Sequence, residues 1–420
     1  MGNNFNISIF GLGYVGLPLA IKLSNYFNVL GFDKNKQRIK DLKKFLDKNN
    51  EVSSKELKKS KLQYSTNIND LKNSNIFIVT VPTPITKSNQ PDLKPLLQAC
   101  KDIGKIISKG DTVIFESTVY PGVTEEICGP QIKKNSNLIS KKDFYLGYSP
   151  ERMNPGDKTH SVDKITKVVS GDCNETVSIL KRIYGKINSN KIFVAKNIKT
   201  AEAAKVIENT QRDINVAFIN EITKLFKKID INIFDVLKTA ETKWNFLNFQ
   251  PGFVGGHCIG VDPYYLSYLA KKKKIKPNLI LSGRQVNNEF PFFLSQYISN
   301  YIGKKNKILV LGLTFKENVN DLRNTKVADL IKSLKNKGHK VCVNDTFADE
   351  NEVRKMNLNL TPLSTKEKFD TIILAVAHDI YKKLDYSFFN KKLNQNGKIF
   401  DLKAIWKNKK FPKKIEYLIL

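Results

Sequence analysis

The chain has 420 residues, enough for two or three domains at roughly 150 residues each, and 41% of them are hydrophobic while 26% are charged. This composition excludes collagen-like, low-complexity and wholly disordered chains, and five cysteines are too few for a small disulfide scaffold. The net charge of +30 suggests a nucleic-acid partner, but arginine, which best recognises phosphates and bases, occupies only seven of the 70 basic positions. We therefore predict no nucleic-acid partner, and expect the positive charge to attract an anionic small substrate.

The first 33 residues predict a nucleotide-binding turn. A strand-like run at 6–10 leads into Gly11-Leu12-Gly13-Tyr14-Val15-Gly16, which opens a helix-like segment. The glycines allow a tight turn and the close approach of a pyrophosphate to the helix N-terminus. A second strand-like run, 29–32, ends at Asp33, whose carboxylate would accept hydrogen bonds from the adenosine ribose hydroxyls. Because this carboxylate would repel a 2′-phosphate, the pattern favours NAD over NADP.

The remaining elements alternate between strands and helices. Strand-like runs at 76–81, 112–116 and 144–148, with helical or polar stretches between them, predict a mostly parallel sheet. From Thr200 to about Lys228, apolar residues recur every three or four positions and indicate one long helix. A second α/β series follows the polar boundary at 304–307, with strand-like runs at 308–311, 340–344, 371–376 and 398–401.

Neither a membrane-spanning segment nor a metal site is predicted. No apolar run approaches the ~18 residues that a membrane helix requires, and the first strand runs directly into the glycine motif, so we expect no signal peptide. The five cysteines are scattered and form no C-x-x-C pair. They are typical of reduced thiols in a cytoplasmic protein.

One cysteine lies in a setting that suggests chemistry. Cys258 follows Gly255, Gly256 and His257 and precedes Asp262 by four residues. A thiol so placed is a candidate nucleophile beside a group that positions water or takes a proton, although a lone cysteine is more often a small buried hydrophobe. For His257, a structural role in tethering the loop is at least as plausible as acid/base work.

The long helix carries a second candidate group. Lys205 and Asn209 are four residues apart and therefore share a face, and Arg212 stays on that side. A partly buried lysine could stabilise an oxyanion, but in a chain so rich in lysine any single one is more often solvated.

Seven blocks of sequence, taken in order, resemble a known family. They are Gly11–Gly16, Val81-Pro82-Thr83-Pro84, Ser117-Thr118-Val119, Tyr148-Ser149-Pro150-Glu151-Arg152, Lys205 with Asn209, Gly255-Gly256-His257-Cys258, and Phe315-Lys316 with Asp321 and Arg323. Together they resemble the UDP-glucose/GDP-mannose dehydrogenase family over essentially the whole chain. The segments 242–247 and 257–265 look most like the UDP-N-acetylglucosamine/UDP-N-acetylgalactosamine 6-dehydrogenase branch of Vi-antigen-type polysaccharide synthesis.

The resemblance implies an α/β fold in which two Rossmann-like doubly wound domains are joined by a central long-helix domain. The expected domains are an NAD-binding domain at 1–198, a helical dimerisation and catalytic domain at 199–303, and a UDP-binding domain at 304–420. A homodimer through the central helix is expected. The second α/β series has Leu311-Gly312-Leu313-Thr314-Phe315 and no G-x-G-x-x-G motif, so it suits the UDP base and ribose better than a second dinucleotide.

The resemblance also implies a four-electron oxidation that supplies uronic acids for surface polysaccharides. The C6 alcohol of a UDP-N-acetylhexosamine would give a hydride to NAD and become an aldehyde. Cys258 would add to the aldehyde as a thiohemiacetal, a second NAD would take a second hydride, and the thioester would be hydrolysed to the uronate.

The roles of the surrounding groups follow from the same resemblance. Lys205 would stabilise the alkoxide or act as acid/base, and Asn209 would help to fix the oxyanion. Glu151 and Asp262 would handle the water, which Thr118 would help to hold.

The implied binding residues form two sets. Contacts to NAD are expected from Gly11, Gly13, Tyr14, Val15, Gly16, Asp33, Arg38, Thr83, Ser117, Thr118 and Arg323. Contacts to the substrate are expected from Glu151, Arg152, Met153, Lys205, Asn209, Arg212, Phe249, Gly252, Gly255 and Lys316.

Departures from the family pattern bear on the substrate. UDP-glucose enzymes carry a lysine where this chain has Val261, and the UDP-N-acetylmannosamine branch has a different stretch where this chain has 244–247. Relatives of the favoured branch often have arginine where this chain has Gln250, so the epimer stays open. UDP-N-acetylmannosamine and UDP-glucose remain alternative substrates. A two-electron NAD dehydrogenase and a non-catalytic NAD-binding protein are the competing functions.

Overall fold

The computed structural model describes residues 5–152 and 163–420. By their internal contacts these residues divide into two compact units. The first comprises Met1–Glu208 with Tyr264–Lys276, and the second comprises Asn209–Pro263 with Pro277–Leu420.

The first unit is built on an eight-stranded sheet with the order β3-β2-β1-β4-β5-β6-β7-β8. Neighbouring strands are parallel except β6 and β7, which are antiparallel. The strands are β1 Asn6–Phe10, β2 Asn28–Phe32, β3 Gln63–Ser65, β4 Ile76–Val79, β5 Thr112–Phe115, β6 Tyr145–Tyr148, β7 Lys167–Gly171 and β8 Ile192–Val194. The chain order reverses between β1 and β4, which creates a crevice at the carboxyl ends of these strands where ligands bind in open α/β sheets.

Helices cover the sheet and supply the apolar side of its core. They are α1 Gly16–Ser24, α2 Lys36–Lys43, α3 Ser54–Lys59, α4 Lys94–Gly104, α5 Gly129–Ser136 and α6 Asn174–Asn188. Leu19 of α1 and Leu180 of α6 are fully buried in one cluster with the strand residues Ile9 and Ile78. Local sequence fixes where these helices start, as in α3, where Ser53 and Glu56 form a reciprocal capping box.

Four helices follow in the middle of the chain. They are α7 Ile198–Phe226, α8 Ile233–Ala240, α9 Asp262–Lys272 and α10 Asn278–Ile302. The predicted long helix is therefore confirmed, with 29 residues in α7. None of the helices in the described part of the chain is long and apolar enough to cross a membrane.

The second unit contains a five-stranded parallel sheet with the order β10-β9-β11-β12-β13. Its elements are β9 Lys307–Leu311, α11 Lys326–Asn336, β10 Lys340–Asn344, α12 Glu350–Lys355, β11 Phe369–Leu374, α13 Asp379–Lys382, α14 Tyr386–Lys392, β12 Leu393–Asp401 and β13 Glu416–Ile419. Trp406 is completely buried beneath this sheet, with its ring 5.0 Å from that of Phe389 and its indole N–H donating to the Tyr381 carbonyl.

The predicted order of an α/β region, a long helix and a second α/β region is confirmed. Four strands were not predicted, namely β3, β7, β8 and β13. Two of them have three residues each, too few to show alternation, and β7 begins with a lysine that looks like a surface residue.

A buried aspartate, Asp345, fixes the loop that follows β9 in the second sheet. Oδ2 of Asp345 accepts hydrogen bonds from the backbone N–H groups of Leu313 and Thr314, and it lies 3.0 Å from Nε2 of His378. Burial alone would raise the pKa of Asp345, but these hydrogen bonds outweigh it and lower the pKa to about 2. Because the folded-state pKa is depressed, the stability that Asp345 adds is complete above about pH 4 and is lost as the pH falls towards 2.

We therefore expect Asp345→Asn to lower the free energy of unfolding by about 2 kcal/mol at pH 7, and the difference from wild type to shrink as the pH is lowered to 3. Urea denaturation followed by circular dichroism measures both. Asp379→Asn is the matched control, because that carboxylate is 64% exposed and its ion pair with Lys382 contributes little. Equal losses for the two variants would refute this account of Asp345.

Candidate active site

The glycine turn between β1 and α1 has the shape that a pyrophosphate requires. Gly11 has a φ of +92°, which favours glycine, and its N–H donates to the Phe32 carbonyl. A Cβ on Gly16 would collide with the Gly11 carbonyl oxygen, so the turn closes only with glycine there. A Cβ on Gly13, by contrast, would meet no protein atom within 4 Å. The turn thus leaves open space at Gly13, and α1 begins at Gly16.

Asp33 lies at the carboxyl end of β2 beside this turn. Its Oδ2 accepts from the Leu12 N–H at 2.9 Å and its Oδ1 accepts from the Asn35 N–H at 2.8 Å. The side chain is half-buried, and each carboxylate oxygen can accept further hydrogen bonds, as ribose hydroxyls would require. Arg38 supports the turn from the protein side, because its Nε donates to the Leu12 carbonyl and its guanidinium pairs with the buried Asp47 at 2.7 Å.

The next two strands bring more of the predicted cofactor residues to the same edge of the sheet. Thr83 follows β4 and donates from Oγ1 to the Thr118 carbonyl after β5 at 2.7 Å. Ser117 donates in return to the Val81 carbonyl at 2.6 Å. The phenol of Tyr265 donates to the Thr83 carbonyl at 2.8 Å. These bonds fix the two loops that border the crevice between β1 and β4.

The predicted water-handling carboxylate of the first unit follows β6. Glu151 is buried, 3.7 Å from the ammonium of Lys167, which was not predicted as part of the site. Arg152 pairs with Glu208 of α7 at 2.8 Å, and Lys205 is buried on the same helix. Met153 lies outside the described residues.

In the second unit, the Cys258 loop packs closely against a neighbouring loop. Gly256 has a φ of +77°, and its N–H donates to the Arg323 carbonyl while its own carbonyl accepts from the Asn324 amide. A Cβ on Gly255 would lie 2.7 Å from the Asn324 carbonyl oxygen, so the paired glycines make this contact possible. The Cys258 carbonyl accepts from the Asp262 N–H at 2.8 Å, and its thiol is partly exposed.

The structure brings two predicted catalytic groups together. Asn209 donates from Nδ2 to Oδ2 of Asp262 at 2.5 Å, and both side chains are buried. Asp262 is also the first residue of α9, where the helix dipole favours a carboxylate. The hydrogen bond from Asn209 thus fixes the Asp262 carboxylate, four residues after Cys258 in the chain.

His257 ties the loop down from its other side. Its Nδ1 lies 3.5 Å from Oδ2 of Asp321. Burial disfavours a charged imidazole, but hydrogen bonding to Asp321 and Cys258 outweighs it and raises the pKa of His257 to about 9. Arg323 also forms a bidentate pair with Asp321, at 2.9 and 2.6 Å. An imidazolium paired in this way favours the tethering interpretation of His257, and the contact of Arg323 with NAD remains a prediction.

A cavity of about 200 Å³ lies within the second unit. The predicted substrate residues Arg212, Gly255 and Lys316 line it, but Phe249 and Gly252 do not. Gly252 is instead clamped by Asn220, which donates to its carbonyl and accepts from its N–H.

Among the lining residues that sequence reasoning missed is Lys403, whose ammonium donates to the Pro251 carbonyl at 3.3 Å. Burial lowers the pKa of Lys403, while Glu317 and Asp401 act in the opposite direction. A signal for it was present, because Lys403 comes two residues after the carboxyl end of β12, where α/β sheets bind ligands.

Taken together, the first unit fits a dinucleotide with an unmodified ribose. The open space at Gly13 and the half-buried carboxylate of Asp33 are the two features that NAD needs. Among residues 5–152 and 163–420, no group of three or more His, Cys, Asp or Glu side chains could hold a metal ion.

Comparison with known proteins agrees with the family resemblance over most of the chain. Models of the UDP-glucose/GDP-mannose dehydrogenase family match with the NAD binding domain at 5–188, the central domain at 199–289 and the UDP binding domain at 309–408. The resemblance found in the sequence, the fold class and the assignment of NAD as cofactor are therefore confirmed.

Individual relatives cover nearly the full length. Protein CapL of Staphylococcus aureus is 48% identical over 96% of each chain, and UDP-N-acetyl-D-glucosamine 6-dehydrogenase of Pseudomonas aeruginosa is 45% identical over 96% of this chain and 97% of the relative. Among solved structures, the UDP-D-ManNAc dehydrogenase from Pyrococcus horikoshii superposes with a TM-score of 0.86 at 28% identity, covering 98% of each chain.

The glycine turn allows cofactor binding to be separated from folding. Gly13→Ala should raise the Kd for NAD at least about tenfold, because a methyl group would occupy the space left for the pyrophosphate. Its melting temperature should stay within about 1 °C of wild type. Gly16→Ala should instead lower the melting temperature by about 3 °C or more, since its Cβ meets the Gly11 carbonyl. Calorimetric titration with NAD and thermal unfolding test both statements, and unchanged NAD affinity in Gly13→Ala would contradict this placement of the pyrophosphate.

Proposed function

Because the chain belongs to the UDP-glucose/GDP-mannose dehydrogenase family and is thus an NAD-dependent oxidoreductase, we propose that it oxidises C6 of a UDP-N-acetylhexosamine, UDP-GlcNAc or UDP-GalNAc, to the uronic acid. The observation that carries this proposal is the Cys258 loop. Its thiol is partly exposed, and four residues later comes Asp262, whose carboxylate accepts a hydrogen bond from Asn209. The N-acetyl sugar is supported by the Pseudomonas aeruginosa relative, whose name specifies UDP-N-acetyl-D-glucosamine. The product would serve surface polysaccharide synthesis, in the cytoplasm, where a thiol nucleophile stays reduced.

The proposed reaction consumes one sugar, two NAD⁺ and one water, and it yields one uronate, two NADH and three protons. NAD, when bound, accepts the two electrons removed in each oxidation. The thiol of Cys258 adds to the C6 aldehyde, so that the carbon which must be oxidised again carries a C–H bond and a sulfur. The second oxidation leaves a thioester on Cys258. Water attacks its carbonyl carbon, the C–S bond breaks, and the thiolate is released.

The chain's polar groups divide this work. Asn209 fixes the oxyanion and at the same time orients Asp262, with which it shares the 2.5 Å hydrogen bond. Lys205 stabilises the alkoxide of the first step. Glu151, assisted by Thr118, takes a proton from the hydrolytic water, and the burial of Glu151 suits this task because bulk water is kept away from the carboxylate.

Cofactor and substrate are held by different sets of groups. The turn at Gly11–Gly16 and the carboxylate of Asp33 hold NAD, with the Thr83 and Ser117 loops beside them. The UDP moiety occupies the second unit, as the match to the UDP binding domain supports. The cavity there has four cationic side chains and one anionic, Glu317, which suits a diphosphate; the cations are Arg212, Lys316, Lys326 and Lys403.

The stoichiometry of NADH tests the proposal directly. We expect two NADH for each sugar consumed with UDP-GlcNAc or UDP-GalNAc, and less turnover with UDP-ManNAc and UDP-glucose tested in parallel. Absorbance of NADH and chromatography of the sugar nucleotides supply the two quantities. One NADH per sugar would indicate a two-electron dehydrogenase, and no turnover of any of the four would overturn the proposed substrate class.

The variant Cys258→Ser isolates the covalent step. It should stop after the first oxidation or trap an adduct, and it should lower uronate formation by on the order of 10³-fold or more. Cys342→Ser is the matched control, because this thiol is also partly exposed and belongs to the same unit but lies on β10. Wild-type turnover by Cys258→Ser would exclude the thioester.

We also propose a homodimer formed through α7. Phe218 and Leu225 are seven residues apart and hence on one face of the helix, and they are 59% and 51% exposed. Large apolar side chains at this spacing are typical of a helix that packs against another one.

Phe218→Lys should therefore convert a dimer into a monomer, because a charge would have to be buried at the interface. Size-exclusion chromatography with light scattering measures the mass. Tyr386→Lys, which alters a side chain of similar exposure on α14, should leave the mass unchanged. A wild-type mass for both variants would rule out this face as the interface.

A further inference from the structure

A group of buried charges lies inside the first unit, outside the residues that the family resemblance assigns. Glu116 directly follows β5, Lys167 opens β7 and Tyr184 lies on α6. The Lys167 ammonium is 2.6 Å from Oε2 of Glu116, and the Tyr184 phenol donates to Oε1 of the same carboxylate. The exposed fraction of each of these three residues is 1% or less.

The group extends to Glu151. Its Oε2 lies 3.7 Å from the Lys167 ammonium, beyond hydrogen-bond range but well within the distance at which charges in a protein interior interact strongly. Two carboxylates therefore share one cation, and with all three ionised the group carries one surplus negative charge. The ammonium therefore attracts both carboxylates at once, and its removal would leave two buried like charges without a counter-charge between them.

Glu116 and Lys167 affect each other's pKa. Burial raises the pKa of Glu116, and repulsion from Glu151 adds to that effect while Lys167 opposes it. For Lys167, burial acts to lower the pKa, but the two carboxylates outweigh it and raise the pKa above its usual value. The Tyr184 phenol also faces this lysine, with its ring centroid 5.1 Å from the ammonium. Arg152, the residue after Glu151, is paired with Glu208.

We propose that Lys167 is a positioning residue whose buried ammonium attracts the Glu151 carboxylate and holds it in place, so that Glu151 can accept a proton from the hydrolytic water. This inference rests on the proposed function, because it takes from it the role of Glu151 in cleaving the Cys258 thioester. In that step water adds to the thioester carbonyl, its proton passes to the Glu151 carboxylate, and the C–S bond breaks to release the Cys258 thiolate. Glu116 competes for the same ammonium and thereby sets how strongly it acts on Glu151.

Two variants should shift the same pH profile in opposite directions. Glu116→Gln leaves the ammonium to Glu151 alone, so the acid limb of the kcat profile should move down by about one pH unit. The double variant Lys167→Met/Glu116→Gln removes the ammonium together with Glu116, the nearer of its two carboxylates. The acid limb of the kcat profile should then move up by about one pH unit, and kcat should fall about tenfold at neutral pH. The KM for the sugar nucleotide should stay unchanged in both.

The step affected can be identified in the double variant. A rapid burst of two NADH per subunit should precede slow turnover, and intact-protein mass spectrometry should detect the accumulated thioester on the enzyme. Tyr184→Phe is the control, because it removes a hydrogen bond to Glu116 but leaves the lysine in place. Glu116→Gln retains the Lys167–Glu151 pair, so its prediction stands even if the double variant does not fold.

The outcomes separate this inference from the proposed function. Acid limbs that do not move, or that move in the same direction in both variants, would overturn the role of Lys167. If Glu151→Gln cleaves the thioester at the wild-type rate, the proposed role of Glu151 itself fails. If Glu151→Gln accumulates the thioester while the Lys167 variants behave as wild type, only the positioning role of Lys167 is wrong.

Discussion

A charge removed from water must be met by an opposite charge and by hydrogen bonds, or its burial costs several kcal/mol, and both units rely on this constraint. In the first unit, Arg38 is held by the buried Asp47 and so can donate to the carbonyl of the glycine turn. In the second, Asp213 of α7 pairs with Arg284 of α10 at 2.5 Å and accepts from Asn287. The first set of contacts fixes the glycine turn after β1, and the second joins two helices at positions 71 residues apart in the sequence.

The two sheets use one structural position in two ways. Asp33 and Asp345 both follow the second strand of their sheet, and both accept a backbone N–H from the loop after the first strand. Asp33 remains half-buried. Asp345 is sealed by His378 and Phe347, whose rings stack 4.9 Å apart, and a Cβ on Gly312 would meet Val376. The carboxylate at this position is thus internal in the second sheet, whereas in the first sheet it remains partly open to solvent.

Much of the molecule could be predicted from the sequence, for reasons that also explain what was missed. The glycine turn, Asp33 and the Cys258 loop are local signals, since each depends on residues within one short stretch. Lys167 and Glu116 are 51 positions apart, and nothing in a chain with 70 basic residues distinguishes one lysine from the others until the fold places it beside two carboxylates. Lys403 differs, because its place two residues after the carboxyl end of β12 was a usable signal. Long-range electrostatics, unlike periodicity, leaves no pattern in a single sequence.

The two tryptophans are natural fluorescent probes of the second unit. Both belong to the second unit, Trp406 completely buried beneath its sheet and Trp244 with 92% of its surface exposed. Their emission should differ in colour and in accessibility to a soluble quencher, because one indole is surrounded by protein and the other by water. The first unit contains no tryptophan at all in its sequence, so tryptophan fluorescence follows the second unit alone. Excitation energy passed from these indoles to a reduced nicotinamide would give a proximity signal without any attached dye.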